Sequence, residues 1–579
     1  MLGKDLRFPN PFGILLIFVF FSSFINPITC INFCPEKCNC DDEKLVVTCI
    51  RADLMYMPNT LNPGLRTIVY KYNRFPTVDV SLNFLTELVK IDLSHNHIVS
   101  VTKRAFLSQK DLIDLNLENN KITQINNLTF YGLSNLQVLN FRSNNVEALE
   151  GQPFLFAKRL QKINFARNRI SRISNTSFVD LPDLRILNLE NNLLTSIPTD
   201  AFKPLVDLAE LYLSGNPFIS IPDGSFATFR SLIALDLSSC RLTSLSIGSF
   251  QGLGTLRKLK LSDNELKSIP DGAIRDSVPN LEELYIGQNQ FTSLTSSSGL
   301  VGIRRLKILD ISGCGKLRFI GSNTLKGSAE HLEHVVISEN RHLKAISEVT
   351  FGDDSPSLMH LRHFDLAENG LETLSEALLP NWLKIKVIDL TGNPWRCDCE
   401  TVFIYHVVTR LLHQRSTDNI PDVVASTKCG SPRRHSGKPV YLLQIEDLSD
   451  DGECYAIPAS SDYRNDKTFY DDNGSSFGSG NSGDGGGPPE ETLIVIISVA
   501  SVVSVLILSI LCFVLYKCGK RKASSSFSDW FFKEYRWKAS SPDSHREYAK
   551  TPYDDDFFFH NNAQNYQYST GRSIPVTEL

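Results

Sequence analysis

Along most of this chain, apolar residues recur in the frame L-x-x-L-x-L-x-x-N-x-L. The frame opens fourteen times, at Leu65, Leu88, Leu112, Leu136, Leu160, Leu184, Leu208, Leu232, Leu256, Leu281, Leu306, Leu332, Leu361 and Ile385, with an unbroken spacing of 24 between Leu88 and Leu256. Within a unit such as Leu184, Leu187 and Leu189, the last two apolar positions alternate with polar neighbours, which predicts a short half-buried strand. The ninth position is Asn in twelve of the fourteen units, from Asn73 to Asn393, where the chain leaves the strand and an amide can satisfy backbone groups. In the second half of the units Phe106, Phe130, Phe154, Phe178, Phe202, Phe226 and Phe250 fall 24 apart, predicting a buried aromatic spine.

The period and frame resemble the leucine-rich repeat (LRR). That resemblance implies an α/β solenoid, a horseshoe of about 14 repeats with a parallel β-sheet on its concave side, which binds other molecules and rarely does chemistry. A single unit cannot bury its apolar face, so both ends need covers. Four cysteines precede the repeats (Cys34, Cys38, Cys40, Cys49) and four follow them (Cys397, Cys399, Cys429, Cys454). Spacing alone allows three pairings in each cluster, and zinc is the competing reading, disfavoured in a secreted chain. The clusters look like the cysteine caps of extracellular LRR proteins, and this resemblance implies Cys34–Cys40, Cys38–Cys49, Cys397–Cys429 and Cys399–Cys454. Cys240 and Cys314 instead occupy the Asn position three repeats apart. With strands about 4.8 Å apart they would lie roughly 14 Å from each other, beyond the ~7 Å reach of a disulfide, so both are expected as buried free thiols.

Hydropathy adds the topology. Residues 1–30 read as a signal peptide, with Lys4 and Arg7 before an apolar run from Phe12 to Ile25. Leu493 to Tyr516 carries no charge and suffices for a bilayer core of about 30 Å; acids precede it and Lys517, Lys520, Arg521 and Lys522 follow, placing the C-terminus in the cytoplasm. The expected domains are an N-terminal cap over 31–60, repeats over 61–394, a C-terminal cap over 395–454, a Ser/Gly/Asp-rich flexible stalk over 455–491, a transmembrane helix over 492–516, and a mostly disordered cytoplasmic tail over 517–579. The protein is thus expected at the plasma membrane as a single-pass type I molecule with an extracellular ectodomain. Sequons at Asn127, Asn175 and Asn473 are glycosylation candidates.

Strand positions between the inner apolar residues are expected on the exposed sheet face. One column reads Asn116, Asn140, Asn164, Asn188, a continuous amide row that serves either a partner's hydrogen bonds or only a solvated ladder. The same column continues to Tyr212 and Tyr285, the large, low-entropy contacts typical of interface hot spots. Arg142, Arg185, Ile186, Ile233 and Ile308 project from neighbouring positions, with an apolar centre expected around Ile186, Ile233 and Tyr212. Repeats ten to thirteen break the period, most visibly at residues 352–357.

The 63-residue tail has no phosphate loop and no room for a kinase or a Toll-type signalling domain, so signalling would pass to recruited partners. Thr577, Glu578 and Leu579 end Val576-Thr-Glu-Leu, which resembles a PDZ ligand for a cytoplasmic scaffold or signalling protein. Tyr548, Tyr553, Tyr566 and Tyr568 are phosphorylation candidates, and Cys512 and Cys518 palmitoylation candidates. The twelve histidines are scattered and no catalytic motif accompanies them, so neither an enzyme, a metal site nor a cofactor is expected; a net charge of −5 gives no nucleic-acid surface. The layout resembles neuronal LRR receptors of dendrite, axon and synapse formation, which implies an extracellular or cell-surface protein ligand on the concave face. A pure adhesion molecule is the alternative, and an innate-immune receptor a weaker one.

Overall fold

The computed structural model describes residues 34–352, 358–413 and 420–449. The expected signal peptide (1–30), Cys454, the expected stalk with Asn473, the Leu493–Tyr516 segment and residues 517–579 lie outside the described residues. Among the described residues no helix is long and apolar enough to cross a membrane.

Fourteen three-residue strands, one per repeat from Thr67–Val69 to Val387–Asp389, pair in parallel with their neighbours in sequence. The hairpin Asn39–Asp41 and Val46–Thr48 extends them to a 16-stranded sheet, because Val46–Thr48 joins the first repeat in parallel while pairing antiparallel with Asn39–Asp41. The N-terminal cap therefore supplies two strands beyond the fourteen of the repeats. Register is strict: Leu187 sits between Ile163 and Leu211, so the inner apolar residues form one continuous row. Stacking also removes the edge strands that a lone repeat would expose.

The ladder asparagines share one way of closing the strand exit, except Asn340, whose Nδ2 is buried without a partner. Asn144 Nδ2 donates to Leu117 O (2.9 Å) and Phe141 O (3.1 Å), while its Oδ1 accepts from Ile122 N (3.0 Å). One amide thus stitches three stretches of buried backbone. In all fourteen repeats the residue before the ladder position has a left-handed backbone, with φ between 52° and 70°, from Tyr72 to Gly392. Only three of these are glycine, so the ladder bonds outweigh a cost of roughly 1 kcal/mol at each other residue.

On the opposite side the phenylalanine spine is continuous from Phe130 to Phe202: Phe130–Phe154 and Phe154–Phe178 stack at 5.9 and 6.0 Å, and Phe178–Phe202 is tilted at 6.2 Å. There the row branches, and Phe202 meets Phe229, which in turn meets Phe226. Every member from Phe106 to Phe250 is buried.

The ends are covered as such a stack requires. Cys34–Cys40 and Cys38–Cys49 bridge the N-terminal hairpin. At the other end Cys397–Cys429 ties strand Trp395–Arg396 to Cys429–Ser431, and the helix Val402–His413 lays Phe403, Ile404, Val407 and Val408 into the core. Cys399 is also disulfide-bonded. Trp395 is wholly buried and donates to Leu390 O (2.8 Å).

Candidate ligand-binding face

Each sheet strand turns two side chains outward, so the exposed face is a grid of rows running across the repeats. The amide row departs from expectation. Asn116, Asn140, Asn164 and Asn188 are all exposed by nine per cent or less. The reason is local: each Oδ1 accepts the backbone N–H two residues on, at Glu118, Arg142, Ala166 and Glu190 respectively (2.9–3.0 Å). Asp92, Asp236, Asp310, Asp365 and Asp389 do the same in their own repeats. The column is a strand-terminating device, as Asx side chains commonly are, and not an open amide surface.

A charged row roofs it. Glu118 accepts from Asn140 Nδ2 (3.2 Å), and Glu190 accepts from Asn188 Nδ2 (2.9 Å) and Ser214 Oγ (3.0 Å). Arg142 lies between these carboxylates, 3.7 Å from Glu118 and 4.0 Å from Glu190. Burial holds its guanidinium pKa below the usual range, with Arg167 adding to the effect. In the intervening repeat the roof residue is Ala166, which offers no acceptor, and Asn164 Nδ2 is buried without a partner. Arg185 sits at the strand entry, where its Nη1 donates to Pro182 O and Leu184 O, rather than in the grid.

The two tyrosines share one arrangement. Strands Glu210–Tyr212 and Glu283–Tyr285 carry the same sequence, Glu-Leu-Tyr. Tyr212 Oη donates to Glu210 (2.6 Å) and Tyr285 Oη to Glu283 (3.0 Å), pinning each ring along its strand. Burial, reinforced by these carboxylates, pushes both phenols above their ordinary pKa. Between them lie Ala234–Asp236 and Lys258–Lys260. Lys258 reaches Glu283 (2.8 Å), Lys260 reaches Asp236 (3.4 Å), and both ammonium groups approach the Tyr285 ring, at 5.3 and 5.9 Å. Two half-buried aromatic ridges, about 14 Å apart at three strand spacings, thus flank the half-buried Ala234 and the ion-paired Lys258 and Lys260.

Ile186 pairs in register with Glu210, beside Tyr212, whereas Ile233 lies one row away at a strand entry and is 45% exposed. The expected apolar centre is therefore divided by Glu210. Asn127 and Asn175 are exposed and outside the sheet. Cys240 and Cys314 are buried and free, each with its N–H on the ladder Asn of the next repeat. Among the described residues no cluster of three or more potential ligands could hold a metal ion.

Residues 86–146, 158–218, 216–266 and 254–315 match the family described as leucine rich repeat. The matched residues, all within the solenoid, are leucine-rich repeats. LRR stacks of this kind are typically interaction scaffolds. The chain is 25% identical over 186 residues to Toll-like receptor 9 of Mus musculus, covering 31% of this chain and 17% of that receptor. It is 30% identical over 82 residues to platelet glycoprotein IX of Homo sapiens, covering 14% of this chain and 42% of that protein. The chain thus spans less than half the length of these two curated relatives. Among solved structures it is similar to the Drosophila Toll–Spatzle complex (TM-score 0.48, 20% identity, 67% of this chain and 61% of that one). The LRIM1/APL1C complex is similar at TM-score 0.48 and 20% identity, with 66% and 67% covered.

Proposed function

We propose that this protein is a type I cell-surface LRR receptor that holds an extracellular protein ligand on its sheet face, centred on Tyr212 and Tyr285. The observation that carries the reading is the pair of Glu-Leu-Tyr strands. Tyrosines already fixed by Glu210 and Glu283 lose little freedom on docking. Arg142 and Ile186 lie toward the same face, at its N-terminal flank. Disulfides at both ends of the solenoid fit an oxidising compartment. Glycans at Asn127 and Asn175 would leave the face open, and Asn473 is a third acceptor candidate. The Leu493–Tyr516 segment would anchor the chain, and Thr577, Glu578 and Leu579 would recruit a PDZ-domain scaffold, in a neuronal setting by the likeness of the layout to neuronal LRR receptors.

A photo-crosslinking residue at Ala234, in the full-length chain on living cells, tests the face. Crosslinks to a surface protein are expected from Ala234, lost in Tyr212→Ala/Tyr285→Ala at equal surface display, and absent with the same probe at the exposed Ile247. Equal capture from both positions, or capture indifferent to the tyrosines, refutes the placement. Deleting Thr577–Leu579 separates receptor from adhesion molecule: a cellular response that survives the deletion favours adhesion alone.

A further inference from the structure

Repeats eleven and twelve differ from all others at the exit from the ladder. In the rest, one residue separates the ladder position from the next buried apolar residue. Here two do: Cys314-Gly315-Lys316-Leu317 and Asn340-Arg341-His342-Leu343. The additional residue is absorbed by a β-turn in each, closed by Leu317 N–H to Cys314 O (2.9 Å) and Leu343 N–H to Asn340 O (2.8 Å). The two turns stack and project their corner residues together. Immediately after them Lys344 N donates to Arg318 O (2.9 Å), and Phe319 pairs in register with Ala345.

The result is a ledge bearing Lys316, Arg318, Arg341, His342 and Lys344, all exposed, beside Phe319 at 40% exposure. The Phe319–Ala345 register and the Lys344 N–H bond to Arg318 O put Arg318 and Lys344 on adjacent backbone segments, about 4.8 Å apart, and the cationic turn residues lie within two or three positions of them. Like charges on adjacent strands repel, and elsewhere this chain neutralises them across repeats, as in Arg172–Glu150 (3.2 Å) and Arg257–Glu282 (2.9 Å). Here only Lys344 has a counter-charge, Glu372 at 3.8 Å; Lys316, Arg318 and Arg341 enter no ion pair among the described residues. The remaining positive field faces solvent on the flank of the stack, off the sheet face.

We propose that these paired turns bind a sulfated polysaccharide chain. Such a chain carries repeated, permanently charged groups at a spacing that several cations can meet at once, and guanidinium groups fork onto sulfate oxygens. A row of turn corners with no enclosing walls suits a linear polymer rather than a compact anion. The site is separate from the tyrosine-centred face, so both ligands can bind together; it rests only on the ectodomain being extracellular, which surface biotinylation of intact cells checks independently.

The test measures binding of a biotinylated heparin oligosaccharide to the detergent-purified full-length protein across a salt series. In Lys316→Ser/Arg318→Ser/Arg341→Ser/Lys344→Ser the affinity at physiological salt should fall by roughly tenfold or more, and the slope of log K against log salt should flatten by about one for each cation removed, by analogy with other polyanions. A control with the same charge change at exposed sites elsewhere, Lys110→Ser/Lys121→Ser/Lys203→Ser/Lys267→Ser, should keep its affinity within about twofold; both variants should melt like the parent. Unsulfated hyaluronan and polyphosphate should bind far more weakly. Unchanged heparin affinity in the ledge variant, equal loss in the control, or hyaluronan or polyphosphate binding as tight as heparin overturns the proposal.

Discussion

Arg142 reaches across an entire repeat to Glu190, its Nη1 4.0 Å from the carboxylate, because the residue between them on the sheet face is Ala166. A methyl group there leaves a lane for the guanidinium and at the same time withholds an acceptor from Asn164. Ala166→Leu should close the lane. The coupling between Arg142 and Glu190 in a double-mutant cycle, about 0.5–1 kcal/mol for a partly exposed pair, should vanish in the Ala166→Leu background. Coupling that persists there would show the pair acting through Glu118 instead.

The ladder sets a larger effect. Asn144→Ala leaves the buried Ile122 N–H without its acceptor and takes one of two amide donors from Leu117 O and Phe141 O, which keep Asn120 and Asn168. An orphaned buried N–H costs about 1–3 kcal/mol, so a loss of about 2 kcal/mol is expected, read as a lower unfolding midpoint in urea. Asn→Ala at Asn127, exposed and outside the ladder, should leave the midpoint of unglycosylated protein within about 0.5 kcal/mol. Similar midpoints for the two would contradict the ladder's role.

Much of this architecture is legible in the chain because a repeat reports the same physics many times. The 24-residue register by itself places Leu187 between Ile163 and Leu211, and it puts Cys240 and Cys314 on ladder positions. Burial on the sheet face is not legible. Asn140 and Asn188 look like outward strand residues, and only the bond from each Oδ1 to the N–H two residues on, with Glu118 and Glu190 above, shows why they are covered. The Glu-Leu-Tyr strands are half legible: the tyrosines stand out by type, whereas their Tyr–Glu bonds follow an i, i+2 spacing that the sequence also contains and that same-face geometry explains.

Thiol chemistry tests the assignment of the two free cysteines. Burial, the leading cause in both, pushes Cys240 from 9.0 up to about 12 and Cys314 up to about 11. Only the thiolate alkylates readily, so native protein at pH 8 should leave both unlabelled by iodoacetamide while urea exposes them together. The sign of the linkage is fixed by the raised values. Between pH 9 and about 11 the unfolded chain releases protons that the folded chain keeps, so these groups favour the unfolded chain increasingly as pH rises, and the fold is penalised least below pH 9. A Cys240→Ala/Cys314→Ala variant should therefore lose less stability than the parent between pH 8.5 and 10.5, measured as the shift in urea midpoint. Equal slopes would mean that the thiols titrate normally.

The C-terminal cover offers the strongest single perturbation. Cys397–Cys429 closes a loop with a sequence separation of 32, which chain-entropy arguments value at roughly 3–4 kcal/mol. Its loss should not melt the solenoid uniformly, because repeats are stabilised by their neighbours and the end repeat has a neighbour on one side only. In Cys397→Ser/Cys429→Ser the helix Val402–His413 should detach first, uncovering Trp382, whose ring Phe403 and Arg410 cover in the intact fold. The expected signature is a red shift of tryptophan emission at a lower temperature than the main loss of far-ultraviolet circular dichroism, with amide exchange rising in residues 385–413 before it rises near Leu187. A single coincident transition, shifted as a whole, would show instead that the cap and the repeats unfold as one unit.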